Sequence, residues 1–188
     1  MLSRIIFSLT HAWQERLALR RYKTDPSRQC AQVIGLNAAQ FKTLGAKVLV
    51  LDFDGVLSPH GAITPLPEVT TWLKQLVKQF PQKQIYILSN KPLPQRKAWF
   101  EEHFPLIHFV SGIRKKPYPD GLQHIIQASG ARPSEVWLID DRLFTGMLAC
   151  ILSGTRGIWV TQPYKDFGLH ALPELFFTCL RTLEKAIV

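Results

Sequence analysis

Seven residues of this chain have the types and positions to act together: Asp52, Asp54, Ser89, Asn90, Lys116, Asp140 and Asp141. Asp52 and Asp54 end the apolar run KVLVLDFDGVLS (47–58), where an ionised carboxylate is costly unless paired or metal-bound. A carboxylate can attack phosphorus to give an aspartyl-phosphate, and a second carboxyl can protonate the leaving oxygen and then activate water. Gly55 starts a turn that brings Asp54 round to face the same group as Asp52. Asp140 and Asp141 add further acids, and so many carboxylates around one point cannot all stay ionised cheaply without a cation. Oxygen ligands with no histidine nearby favour a hard ion such as Mg2+. With Lys116 and Ser89 beside it, such a site suits a phosphate group.

These residues need a scaffold that brings them to one place. Apolar runs rich in isoleucine, valine and aromatics predict strands at 47–52, 84–89, 107–110, 136–140 and 157–161, buried on both faces. Helical stretches at 67–80, 94–104, 118–130, 142–153 and 171–186 alternate with them. That alternation predicts an α/β fold, a three-layer parallel sheet with right-handed crossovers. In such a sheet ligands bind beyond the carboxyl ends of the strands, which is where these polar residues fall.

The set resembles the haloacid dehalogenase-like phosphatase superfamily. The first motif, D-x-D-G, stands as Asp52-Phe53-Asp54-Gly55, and the second as Leu88-Ser89-Asn90. Lys116-Pro117 is similar to the third motif and Asp140-Asp141 to the fourth. The resemblance covers about residues 46–162 and implies a Rossmann-like domain over 46–188, after a basic extension at 1–45. It implies Asp52 as nucleophile and Mg2+ ligand, and Asp54 as general acid/base with its carbonyl on the metal. Ser89, Asn90 and Lys116 would bind the phosphoryl group, and Asp141 would bind the metal. Asn90 could equally be a turn residue, and Asp140 either a hydrogen-bonded strand end or a further ligand.

Asp54 and Ser89 are 35 residues apart, and Ser89 and Lys116 are 27 apart. A helix and its connections fill each interval, so no inserted cap domain is expected and the site should be open. An open site needs a bulky substrate or a neighbouring subunit to cover it. Asp141-Arg142-Leu143-Phe144-Thr145 resembles the fourth motif of the capless phosphatidylglycerophosphate phosphatases, as do Lys115-Lys116-Pro117 and Gly157-Ile158-Trp159-Val160. Asp140 stands where that family has Gly, and Gly146 where it has Asp. The implied substrate is a phospholipid monoester, phosphatidylglycerophosphate. The segment 54–63 is also similar to capless phosphatases of soluble phospho-sugar acids, whose subunits cap one another.

Composition fits a folded enzyme. The chain is 46% hydrophobic and 20% charged, which excludes intrinsic disorder. No apolar stretch reaches the roughly 20 residues of a membrane-spanning helix. Three widely spaced cysteines suggest buried, reduced thiols. Residues 1–45 hold seven basic residues against two acidic ones, out of a net charge of +9. Leu2, Ile5, Ile6, Leu9, Trp13 and Leu17 line one face of a helix in the first 25 residues, with Arg4, Arg16, Arg20 and Arg21 nearby. This helix either lies at an anionic membrane surface or packs on the domain. The expected location is cytoplasmic and peripheral at the inner membrane, or the mitochondrial matrix if the Arg-rich start is a transit segment. A non-catalytic basic module is the rival class, but no nucleic-acid-binding motif accompanies the charge, and no nucleic-acid partner is expected.

Overall fold

The structure, a computed structural model, describes residues 2–168 and 171–188. Six parallel strands form one sheet: β1 (Gln29–Cys30), β2 (Val48–Leu51), β3 (Ile85–Leu88), β4 (His108–Val110), β5 (Val136–Asp140) and β6 (Arg156–Val160). Their order is β1-β6-β5-β2-β3-β4, with β2 central. The chain runs outward from β2 to β3 and β4, then crosses back to β5 on the other side. The strand order therefore reverses beside β2, which is where parallel sheets bind ligands.

Burial on both faces explains the unbroken apolar strands. Leu49 and Leu51 of β2 face a core shared with α4 (Pro67–Gln79), α5 (Pro94–His103) and Phe41 of α3 (Ala38–Thr43). Val48 and Val50 face the opposite core, shared with α6 (Asp120–Ser129), α7 (Leu148–Ser153) and the first two helices, α1 (Leu2–Gln14) and α2 (Arg16–Thr24). The three-layer α/β fold expected from the sequence is thus present. Strands β2 to β5 fall within the predicted runs, and β6 starts one residue before the run predicted at 157–161. α4 shows the local logic: Pro67 opens it, and Val69, Trp72, Leu73 and Leu76 form one buried stripe.

Three features depart from the sequence expectations. The stretch read as a helix over the first 25 residues is two helices meeting at Glu15. Part of the 1–45 stretch joins the main body: β1 pairs with β6, and Val33 and Phe41 are buried in the core. Burial of all three thiols was expected, yet Cys150 is buried, Cys30 partly buried and Cys179 exposed. The intervals after Asp54 and Ser89 hold α4, α5 and β4 and nothing larger.

The last helix, α8 (Ala171–Ile187), is arranged the other way round from α4. Its buried residues are Glu174, Arg181 and Glu184, while Leu172, Leu175, Phe176, Leu183 and Ile187 face solvent. The apolar face predicted on α1 and α2 is also exposed, from Leu2 through Trp13 to Leu17. Ala12, Leu19 and Tyr22 bury the other side of these helices. Among the described residues, no helix is long and apolar enough to cross a membrane.

Candidate active site

β2 and β5 are neighbours, so Asp52 emerges beside Asp140 and Asp141, and the Asp52 amide continues the ladder onto the Ile139 carbonyl at 3.0 Å. The loop then folds back at once. Gly55 has φ +85°, and its amide donates to the Ser58 carbonyl at 2.7 Å. A Cβ on Gly55 would stand 2.7 Å from Asp141 Oδ2, so glycine is needed for the left-handed turn and for the close approach of the two loops.

Lys116 ties the carboxylates together. Its Nζ donates to Asp140 Oδ2 at 2.5 Å and lies 3.0 Å from Asp52 Oδ1. Burial disfavours the ammonium, but Asp140 and Asp52 prevail and raise its pKa, so it stays charged. Asp140 also accepts from the Arg142 amide at 2.9 Å, so each of its oxygens has a partner. Asn90 commits its amide to the Lys116 backbone, accepting from its N–H at 2.8 Å and donating to its carbonyl at 3.1 Å. Asn90 thereby braces Lys116. Ser89 Oγ accepts from the Lys91 amide at 3.0 Å.

The acids lie close enough to perturb one another. Asp52 is pushed well above the usual carboxylate range, first by burial and then by Asp140, Asp141 and Asp54, with Lys116 opposing. Asp141 is pushed up to about 6 by burial, against the pull of Arg181. Asp52, Asp140 and Asp141 offer ligand oxygens within 4.8 Å of one another. Hard oxygen donors in a buried group that repels itself fit a divalent cation such as Mg2+.

Several residues at this edge were not foreseen. Arg96 is wholly buried and grips both Asp54 oxygens, at 2.7 and 2.9 Å, while donating to the Ala62 and Lys91 carbonyls. Its signal was positional, because it shares the inward face of α5 with Phe100, one turn on. The expectation of an open site is corrected by α8, which lies across the loops after β2 and β5. Arg181 Nε donates to Asp141 Oδ2 at 2.5 Å. Glu174 accepts from the His60 amide at 2.9 Å, and Phe177 stacks on the His60 ring at 3.9 Å. Glu184 pairs with the Arg142 guanidinium and accepts from the Leu143 and Phe144 amides. A histidine therefore does reach the site: burial lowers the pKa of His60, and Asp54 is the foremost influence opposing that. Beside Ser89, Asn90 and Lys116 lies a cavity of about 40 Å3. A larger one, about 430 Å3, is lined by Lys83, Tyr86, His108 and His124, apart from the carboxylates.

The structure also shows how residues 140 and 146 fit together. A Cβ built on Gly146 would fall inside the Asp140 carboxyl group. The carboxylate of residue 140 fills the space that a side chain at 146 would need.

The family description for haloacid dehalogenase-like hydrolases matches residues 8–154. The chain belongs to this hydrolase family. The expectation of an enzyme of that family is met. Solved structures give weaker likenesses. A provisionally assigned phosphoglycolate phosphatase from Lactobacillus delbrueckii is 23% identical, with a TM-score of 0.43. That match covers 66% of this chain and 54% of the other, so the chain spans about half that relative's length. A haloacid dehalogenase-like family protein from Streptococcus pneumoniae is 13% identical over 71% of this chain and 90% of its own, with a TM-score of 0.47. A hydrolase of the family from Deinococcus radiodurans, with bound phosphate and sodium, is 17% identical over 70% and 89%, with a TM-score of 0.41. No curated protein sequence matches the chain.

Proposed function

We propose that the protein is a Mg2+-dependent phosphomonoesterase that works through an aspartyl-phosphate on Asp52 and acts on a phospholipid monoester of the phosphatidylglycerophosphate type. The observation that carries the chemistry is the meeting of Asp52, Lys116 and Asp141 at the carboxyl edge of the sheet, with Ser89 and Asp54 on the adjoining loops. An Asp52 oxygen attacks phosphorus, and the alkoxide of the substrate leaves with a proton from Asp54. Asp54 then takes a proton from water as it attacks the aspartyl-phosphate, which frees inorganic phosphate and restores Asp52. Lys116 and Ser89 hold the phosphoryl oxygens, and Asn90 and Asp140 position Lys116. Asp52, Asp141 and the Asp54 carbonyl would hold Mg2+, which when bound neutralises charge that builds up on phosphorus. Both Asp54 oxygens are engaged by Arg96, so proton transfer requires that grip to loosen.

The lipid reading is supported by where the exposed apolar residues lie. α1 and α8 meet at the motif-four loop: Ser8 donates to the Phe144 carbonyl, and Glu184 accepts from the Phe144 amide. Their outer faces carry Leu2, Ile5, Leu9 and Trp13 on one helix and Leu172, Leu175 and Phe176 on the other. The basic residues of α1 and α2 suit an anionic bilayer, where each contributes about 1 kcal/mol near the surface. Contact is therefore proposed to be peripheral, on the cytoplasmic or matrix side. One observation favours a second reading, a small soluble phosphomonoester such as a phospho-sugar acid or phosphoglycolate: α8 leaves little open space over the carboxylates.

Phosphate release measured over a panel decides between them. Phosphatidylglycerophosphate in vesicles, phosphatidic acid, phosphoglycolate and phospho-sugars would be offered with and without Mg2+. Turnover confined to vesicle substrate is expected, and preference for the soluble esters would overturn the lipid assignment. Asp52→Asn should abolish release from every substrate while leaving the circular dichroism spectrum unchanged; retained turnover would remove Asp52 as nucleophile.

A further inference from the structure

Arg181 is buried at the site and incompletely satisfied at two of its nitrogens. Its Nε donates to Asp141, but Nη1 and Nη2 are shut off from solvent and have no hydrogen-bond acceptor among the described residues. A buried N–H left without an acceptor costs on the order of 1–3 kcal/mol. Nη2 lies 3.1 Å from the point where a Cβ on Gly55 would stand, so the guanidinium sits over the turn that follows Asp54. What retains it there is charge. Asp52, Asp54, Asp140 and Asp141 are faced otherwise by Lys116 and Arg96, with Arg142 acting on Asp140 and Asp141 while paired to Glu184. Without Arg181, Asp141 would be a buried carboxylate left with only Arg142, which is already paired with Glu184.

We infer that Arg181 is an exchangeable counter-ion: it neutralises Asp141 while no divalent cation is bound and yields Asp141 when one binds, loosening α8 from the site. This rests on the Mg2+ site proposed above and makes Arg181 a positioning residue, not one that touches the reacting atoms. Two cations drawn to one buried carboxylate repel each other strongly at such short range. α8 is also suited to release. Its inward anchors are Glu174, Arg181 and Glu184, with Phe177 as the aromatic contact, so lifting it gives up little apolar burial. The exchange would open the site in the same step that loads it.

Titration calorimetry with Mg2+ on the whole chain tests the exchange in the wild type, Arg181→Gln and Arg181→Lys. With the resident cation gone, Arg181→Gln should bind Mg2+ about tenfold more tightly. Arg181→Lys, which keeps the charge, should bind close to the wild type. Hydrogen exchange on the wild-type chain needs no variant: Mg2+ should speed exchange across residues 171–187 and leave α4 unchanged. Equal or weaker Mg2+ binding by Arg181→Gln, or unchanged or greater protection of α8 with Mg2+, overturns the inference. Failure of wild type and Arg181→Gln alike to bind Mg2+ would instead remove the metal site, and this exchange with it.

Discussion

α4 and α8 are both amphipathic helices, yet they are held in opposite senses. α4 buries Val69, Trp72, Leu73 and Leu76 and turns Lys74 and Lys78 outward. α8 buries Glu174, Arg181 and Glu184 and turns Leu172, Leu175 and Phe176 outward. Apolar burial is non-directional and survives the loss of any one charge, so α4 belongs to the cooperative core. The hold on α8 is a set of directional ion pairs, which fails when one charge is lost. The difference separates a helix that makes the fold from one that attends the site.

Substitutions along the two helices probe that contrast. The largest effect is expected at α4: Leu73→Ala should lower global stability by about 2–5 kcal/mol in urea titration. All regions should unfold together, and a selective loss at one helix would contradict the shared core. Glu184→Gln should leave the urea midpoint almost unmoved and lower the protection of residues 171–187 by about 1–3 kcal/mol in hydrogen exchange, because the partly buried Arg142 loses its paired carboxylate. Loss of global stability instead would make α8 part of the core. The smallest change is expected on the outer face of α8. Phe176→Ser should alter stability by less than about 0.5 kcal/mol, while reducing flotation with anionic vesicles. Unchanged flotation would leave that face without the lipid contact proposed for it.

The same contrast explains what could be read from the sequence. Strands buried on both faces announce themselves as apolar runs, and β2, β3, β5 and β6 were legible for that reason. β4, an edge strand with His108 exposed, showed only a short apolar run and lacks the burial on both faces expected of it. β1 was not legible, since two residues at a sheet edge carry no pattern. Asp52, Asp54, Ser89, Lys116 and Asp141 were legible because each lies at or just past a strand end or in a short motif, and chain order alone brings strand ends together. Arg96 and Arg181 were not, because each reaches the site from within a helix. Period 3.6 marks two faces without saying which is inside. For α8 the usual assumption, apolar side inward, gives the wrong answer. The open site expected from the short inter-motif intervals failed similarly, because the covering element follows the last motif.

Gly146 and Asp140 bear on how this site can change over time. The Asp140 carboxyl group occupies the volume that a side chain at residue 146 would fill, so the two positions cannot be altered independently. A single change of Gly146 to Asp would strike the group that holds Lys116 and should yield a damaged enzyme. Trimming Asp140 first clears the space, but leaves Lys116 with Asp52 alone until the second change arrives. Substitution at the two positions is therefore ordered: residue 140 must be trimmed before residue 146 can carry a side chain, through a weakened intermediate.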